Sequence, residues 1–175
     1  MANPSASDDY FRFFGLEQQF NIDLSALDQA YLAIQKEVHP DRHARGSDAE
    51  QRLAMQMATL ANTALQTLKN PIQRGLYLCQ LHGVDGRLET NTAMPAAFLM
   101  KQMEWRESLE DQDKDLGALE ALAEEVDQSK RDTLVAITQA IDAAKNYERA
   151  AELLRGLLFI DKFALELDEA ISALV

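Results

Sequence analysis

Residues 31–43 read YLAIQKEVHPDRH, an amphipathic stretch that ends in the tripeptide His39-Pro40-Asp41 and an adjoining basic pair. Pro40 disfavours helical backbone geometry at His39, so a helix arriving from the N-terminal side has to end there. Asp23 or Ser25 can cap its start. The apolar positions of this helix recur at alternating spacings of three and four, which indicates one buried stripe. They are Leu24, Leu27, Tyr31, Ile34 and Val38.

Helical patterns flank this stretch on both sides. A short aromatic helix can begin near Asp8 or Asp9. After the tripeptide we expect a polar loop, RHARGSD, and then a helix capped by Ser47 or Asp48 that runs to Asn70. A further helix from Pro71 to about His82 begins with proline in the favoured first turn. The predicted inward face of the helix ending at Asn70 consists of Leu53, Met57, Leu60, Ala64 and Leu68.

A second domain is predicted after residues 83–95, GVDGRLETNTAMP, which concentrate turn-forming residues. The predicted division is residues 1–82, a linker at 83–95 and residues 96–175. Three helical patterns follow the linker, and their short connections predict an antiparallel three-helix bundle. One polar residue, Lys130, interrupts the apolar stripe of the middle pattern. The last pattern places Ala150, Leu153, Leu157, Ile160, Ala164, Leu167, Ile171 and Leu174 on its predicted inward face.

Composition indicates an all-α protein, because Pro and Gly number only four and seven in 175 residues while helix formers are abundant. The net charge of −12 disfavours nucleic acid as a partner. Cys79 is the single cysteine, so neither an intramolecular disulfide nor a cysteine-based metal cluster can form. We predict no membrane span and a cytoplasmic location, with the bacterial cytosol as first choice, although a mature organellar protein would have the same pattern.

The tripeptide alone has several readings. A His and an Asp around a proline are usually a polar turn. A catalytic site is not indicated, since no activated nucleophile and no glycine-rich phosphate loop is recognisable. A zinc site could use His39, Asp41 and His43, but it would need further ligands from elsewhere. A helical metal-binding protein or enzyme therefore remains as an alternative.

The surrounding helices give the tripeptide a context. Residues 8–70, through DYFRFFGL and YLAIQKEVHPDRH, resemble the J domain of co-chaperones that act on DnaK-class chaperones. The resemblance implies that His39, Pro40 and Asp41 trigger the ATPase of the chaperone. It also implies a basic docking surface, here Lys36 and Arg42 with Arg45 beside them, although each could be a plain solvated charge.

Two departures from the J-domain pattern are visible. Val38 stands where a tyrosine often precedes the tripeptide, and Asp28 and Glu37 make the second helix less basic. Electrostatic steering towards an acidic chaperone is therefore expected to be weaker than in typical J domains.

The rest of the chain narrows the resemblance. NPIQRGLYLCQLHG at 70–83, FLMKQMEWRESLED at 98–111 and LLFIDKF at 157–163 resemble the HscB family, J-domain co-chaperones of iron-sulfur cluster biogenesis. The resemblance implies a catalytically inert adaptor. Its bundle would bind an IscU-type cluster scaffold protein and deliver it to a specialised DnaK/HscA-type chaperone. A J protein that serves another client is the alternative.

The helical pattern around Trp105 supports an exposed binding face. At about 100° per residue, Phe98, Trp105 and Leu109 form one inward stripe. Leu99, Met100 and Met103 point away from that stripe, together with Glu104, Glu107 and Asp111. A methionine stripe is more often core, and a thick bundle could bury both faces.

Phe159 is the remaining candidate for that binding face. It lies off the stripe of the last helix and either joins the face or packs beneath the linker. Asp111 stands where the family pattern leads us to expect a longer acid, which leaves its role in doubt. The resemblance maps scaffold binding onto Leu99, Met100, Met103, Glu104, Glu107 and Phe159.

We predict no cofactor, since the N-terminal cysteine pair with which some members of the family bind metal is missing here. Weak self-association is left open.

Overall fold

The computed structural model describes residues 9–86, 94–111 and 115–175. No strand occurs in these ranges, so the all-α prediction is confirmed. Among the described helices, none is long and apolar enough to cross a lipid bilayer. The elements are α1 Tyr10–Phe13, α2 Leu24–Val38, α3 Pro40–His43, α4 Asp48–Lys69, α5 Pro71–Leu81, α6 Ala96–Asp111, α7 Leu116–Thr138, a π-helical turn Gln139–Ala143, and α8 Tyr147–Ser172.

The chain divides into two compact units, Met1–Leu81 and His82–Val175. Most of the predicted linker, residues 87–93, lies outside the described residues, as does Asp8. The linker at 83–95 therefore stays a prediction.

In the first unit, α2 and α4 form an antiparallel hairpin. The Lys69 ammonium lies 3.0 Å from the Asp28 carboxylate, and nearer the tip Tyr31 donates a hydrogen bond of 2.7 Å to Asn62. Gln35 donates to the same tyrosine hydroxyl. These pairs fix the register of the two helices. The core beneath them contains Phe11, Phe14, Phe20, Leu27, Val38, Ala54, Ala61, Ala64, Leu68, Ile72, Leu78 and Cys79.

Side chains of the predicted type cap the starts of both long helices. The Asp23 carboxylate accepts from the backbone N–H groups of Ser25 and Ala26, at 2.9 and 3.1 Å. Ser47 and Glu50 form a reciprocal capping box at the start of α4. The hydrogen bond from the Ser47 backbone N–H stabilises the carboxylate of Glu50 and lowers its pKa.

One prediction for this unit was wrong, and another was only partly right. Arg42 and His43, expected in a polar loop, belong to the helical turn α3, because Pro40 is well suited to the first position of a helix. The buried face of α4 is Ala54, Ala61, Ala64 and Leu68, while Met57 and Leu60 are only half-buried. Leu53 is 38% exposed, although its neighbour Ala54 is buried.

The second unit is the predicted antiparallel three-helix bundle. Lys130, the polar residue that interrupts the apolar stripe of α7, forms an ion pair of 2.6 Å with Asp161 of α8. The Trp105 ring of α6 is 2% exposed, and its Nε1–H donates to Glu125 of α7 at 3.0 Å. The core cluster comprises Trp105, Leu119, Leu122, Val126, Ile160, Phe163 and Leu167.

The inward face predicted for α8 was only partly right. Leu154 and Phe163 are buried but were not predicted, whereas Leu153 is half-buried and Leu174 is 41% exposed. The reason is that α8 contacts both α6 and α7, so its buried face is wider than one stripe. The π-helical turn Gln139–Ala143 had no counterpart in the prediction either.

Arg74 of α5 ties together three segments of the first unit. Its Nε and Nη1 donate hydrogen bonds of 2.7 Å each to the carbonyls of Phe20 and Leu68, and its guanidinium lies 4.7 Å from the Phe20 ring centroid. Arg74 is only 7% exposed. A buried guanidinium with several fixed acceptors is costly to truncate, because the acceptors remain buried.

We therefore expect Arg74→Met to lower the free energy of unfolding of the first unit by about 2–4 kcal/mol, since two buried carbonyls lose a donor. Urea unfolding of the full chain, followed by circular dichroism, measures this. The matched control is Arg149→Met, which removes an exposed pair with Glu152 and should change stability by less than about 0.5 kcal/mol. Equal effects of both substitutions would contradict the assigned role.

Tyr77 gives this unit a dependence on alkaline pH. Its hydroxyl oxygen accepts from the backbone N–H of Tyr10 at 3.0 Å, and the two rings stack with centroids 4.5 Å apart. Burial raises the pKa of Tyr77 above its ordinary value of 10.0. The protonated phenol is thus favoured in the folded state.

Stability should accordingly be constant below about pH 10, where the unfolded phenol begins to ionise, and should fall as pH rises towards the higher pKa of the folded state. Unfolding free energies measured between pH 8 and 11 would show the decline. Tyr77→Phe should flatten this part of the profile. An unchanged slope in the variant would show that another group is responsible.

Candidate functional site

The tripeptide His39-Pro40-Asp41 lies at the exposed tip of the α2–α4 hairpin. His39 ends α2 and also caps α3, and its Nδ1 accepts from the Asp41 backbone N–H at 3.3 Å. The Asp41 carboxylate is 3.6 Å from the same nitrogen. The side chains of His39 and Asp41 are 58% and 92% exposed. Both are thus available to a partner while their backbone is held in a helical turn.

Two side chains of α3 fasten this tip to the end of α2. The guanidinium of Arg42 donates to the Lys36 carbonyl at 3.4 Å, and Nε2 of His43 lies 2.9 Å from the Glu37 carbonyl oxygen. The backbone N–H of Arg42 also donates to the His39 carbonyl, at 3.0 Å. The turn is therefore closed by main-chain and side-chain bonds together.

The predicted basic residues surround the tip. Lys36, Arg42 and Arg45 are all exposed. With Glu37 and Asp41 among them, residues 36–45 carry three Lys or Arg and two carboxylates, a net charge of +1 in a chain of net charge −12. This local positive charge can attract an acidic surface at the same place where the His39 and Asp41 side chains protrude.

The arrangement does not assemble a metal site in the part of the chain that the structure describes. No group of three or more His, Cys, Asp or Glu side chains is placed to hold an ion there. His43, one of the three candidate ligands, directs Nε2 at a backbone carbonyl instead.

A second surface lies on α6. Leu99, Met100 and Met103 are 44%, 63% and 63% exposed, as the helical pattern predicted, and Glu104 and Glu107 are exposed beside them. We call these five residues the α6 outer face. Asp111 is exposed too. The opposite side of α6 packs in the core of the bundle, where Trp105 is buried and Phe98 and Leu109 are partly buried.

The register of α6 against α8 follows from two contacts. A Cβ atom at Gly156 would lie 3.5 Å from the Phe98 ring, and the Trp105 ring stacks on Phe163 with centroids 5.6 Å apart. Phe98 and Trp105 are seven residues apart in α6, and their partners Gly156 and Phe163 are seven residues apart in α8. Seven residues are about two helical turns, and both helices advance in the same direction from the first contact to the second. The two helices therefore run parallel side by side.

This register places Phe159 of α8 beside the α6 outer face. Arg106 donates to Glu166 across the two helices at 3.0 Å, and Leu99 and Phe159 each lie seven residues earlier in their own helix. Seven residues are about two helical turns, so Leu99 lies on the same side of α6 as Arg106, and Phe159 lies on the same side of α8 as Glu166. Phe159 is 39% exposed, so it extends the apolar surface onto α8.

Charged residues that the sequence reasoning missed lie beside this surface. Lys162 lies 5.8 Å from the Phe159 ring centroid, and the Arg106–Glu166 pair lies on the same side of the α6–α8 contact. The sequence gives no signal for them, because isolated surface charges have no periodicity and their neighbours depend on the packing of α6 against α8.

Known proteins resemble this chain along nearly its whole length. Residues 94–168 match the family described as the HSCB C-terminal oligomerisation domain. The chain is similar to a co-chaperone protein HscB homolog of Ralstonia nicotianae, with 47% identity over 97% of this chain and 98% of the relative. A homolog of the same name from Cupriavidus taiwanensis is 46% identical over 95% of this chain and 96% of its own.

Solved structures give the same result. The chaperone HscB from Vibrio cholerae has a TM-score of 0.81 at 36% identity, covering 96% of this chain and 100% of its own. The crystal structure of human co-chaperone protein HscB has a TM-score of 0.85 at 27% identity, and the match covers 97% of this chain and 85% of the human one.

Proposed function

This chain belongs to the HscB family of co-chaperones, and on that premise we propose how its two surfaces share the work of an adaptor. As a member of this family it is a co-chaperone of iron-sulfur cluster assembly, a non-enzymatic regulator that works with a chaperone and a scaffold protein. The finer assignments of residues and partners below are our proposal. We assign its action to the bacterial cytosol, in line with its bacterial relatives.

The hairpin tip is proposed to dock on the nucleotide-binding domain of a DnaK/HscA-type chaperone and to stimulate ATP hydrolysis. The observation that carries this is the fixed, protruding turn in which His39 and Asp41 are exposed around Pro40. Lys36 and Arg42 would steer the tip towards an acidic chaperone surface, a contribution to association rate that added salt weakens.

The α6 outer face with Phe159 is proposed to bind the cluster scaffold, an IscU-type protein. Its four large apolar side chains are each about half exposed, so burying them could contribute about 3–6 kcal/mol gross, at ~1.5–3 kcal/mol for a full side chain. A micromolar complex requires about 8 kcal/mol net. At that affinity apolar burial alone would be insufficient, and Glu104 and Glu107 would contribute charge-assisted bonds to basic groups of the partner.

ATP hydrolysis tests the first half. In single-turnover assays with the cognate HscA-type chaperone, the wild-type chain should accelerate hydrolysis, and His39→Gln should reduce the rate to near the unstimulated value, because the exposed imidazole of the tip is lost. The matched control is His82→Gln, an exposed histidine in the other unit, which should stimulate like wild type. Full stimulation by His39→Gln would refute the assignment of the tip.

Scaffold binding tests the second half and separates this function from service to another client. In calorimetric titrations with the purified IscU-type scaffold, Met100→Ala and Met103→Ala should each raise Kd about 3–30-fold, since each removes a buried contact. Met55→Ala is the matched control, because Met55 is 72% exposed but lies on α4 of the other unit. Unchanged Kd values in both α6 variants would remove this face from consideration.

Sedimentation velocity of the free chain in the same buffer would show whether the α6 outer face also mediates self-association, which the description of the matched family makes worth measuring. Self-association that weakens in Met100→Ala would place it at this face.

A further inference from the structure

Two of the carbonyl groups at the end of α2, those of Lys36 and Glu37, lack the backbone donors that a continued helix would supply. In an α-helix, the N–H of residue 40 would bond the carbonyl of residue 36, and the N–H of residue 41 the carbonyl of residue 37. Pro40 has no N–H. The N–H of Asp41 is directed at the His39 ring instead, at 3.3 Å.

Side chains of α3 replace both missing donors. Arg42 supplies the bond to Lys36, and His43 supplies the bond to Glu37. The two contacts are unequal: the His43 contact is 2.9 Å and involves a half-buried ring, whereas the Arg42 contact is 3.4 Å and involves an exposed guanidinium. His43 is therefore the stronger of the two caps.

We propose that His43 is a positioning residue for the His39-Pro40-Asp41 turn. Its contact with the Glu37 carbonyl holds the turn against the carboxyl end of α2, in the conformation that binds the chaperone. The proposal rests on the function proposed above for the tip. It assigns His43 no contact with the chaperone. Its effect passes through the backbone, since α3 begins at Pro40 and the carbonyl of His43 also accepts from the Gly46 N–H at 2.9 Å.

The chemistry identifies the active nitrogen. A carbonyl oxygen can only accept, so Nε2 must carry the hydrogen in the bound tautomer. A glutamine side chain places its amide nitrogen the same number of bonds from Cα and can donate in the same way. A phenylalanine keeps a planar aromatic ring, somewhat larger than imidazole, but has no donor. His43→Gln and His43→Phe are thus a conservative and a disruptive variant at one position.

Loss of a positioning bond has a characteristic kinetic effect. If the turn occupies its competent geometry for only part of the time, the apparent affinity falls in proportion to that fraction. The chaperone still selects the competent turn at saturation, so the maximal stimulation is retained. One hydrogen bond of ordinary net strength corresponds to a change of about 2- to 10-fold.

The experiment is a titration of the full chain against the cognate chaperone, with the ATPase rate as readout. We expect His43→Phe to raise the half-saturating concentration about 2- to 10-fold without lowering the maximal rate, and His43→Gln to restore the wild-type value. Amide hydrogen exchange of the free protein should show faster exchange at Arg42 and Gly46 in the phenylalanine variant, with unchanged exchange in α7.

Three results would overturn the inference. These are equal half-saturation by His43→Phe and wild type, a loss confined to the maximal rate, and failure of glutamine to rescue. The first two would mean that the bond does not position the turn, or that His43 acts in the docked complex. Failure of the underlying function looks different, because the wild-type chain itself would then not stimulate hydrolysis.

Discussion

The absence of an N–H group on Pro40 is the constraint on which the first unit depends. It stops α2 at Val38 and makes His39 at once the end of α2 and the cap of α3. The chain then reverses within a few residues, and Ser47 starts α4 in the opposite direction. Only that reversal allows Tyr31 to reach Asn62 and Asp28 to reach Lys69 across the hairpin. A continuous helix through residue 40 would leave the apolar stripe of α2 without a partner.

The helices of the second unit pack against one another to different extents. α7 and α8 pack along their lengths, whereas α6 inserts chiefly one aromatic side chain, Trp105, with Phe98 and Leu109 beside it. The Trp105 ring donates to Glu125 and stacks on Phe163, and together with Phe98 against Gly156 it holds α6 in register. The remainder of α6 is released from the core, which is why three large apolar side chains can remain outside it.

Local chemistry explains which features could be predicted from the sequence. Caps and prolines act within a few residues, so the bounds of α2, α4 and α5 followed from Asp23, Ser47 and Pro71. The outward direction of Met100 followed from the helical period and the inward stripe of Phe98, Trp105 and Leu109. The alanine face of α4, the burial of Phe163 and the place of Phe159 beside Leu99 could not follow, because each depends on how closely a second helix approaches. His43 was considered only as a metal ligand, since its acceptor is a backbone carbonyl and has no sequence signature.

The charges of the two surfaces bear on partner choice in the proposed adaptor. The hairpin tip is locally basic in an acidic chain, while the α6 outer face combines carboxylates with exposed Leu and Met. A partner acidic enough to be steered to the tip would be repelled by Glu104 and Glu107, and a basic partner suited to α6 would be repelled by Lys36 and Arg42. The charges proposed to attract one partner thus disfavour the other. Added salt would weaken this discrimination before it removed the apolar contribution on α6, because exposed charges are screened and buried apolar area is not.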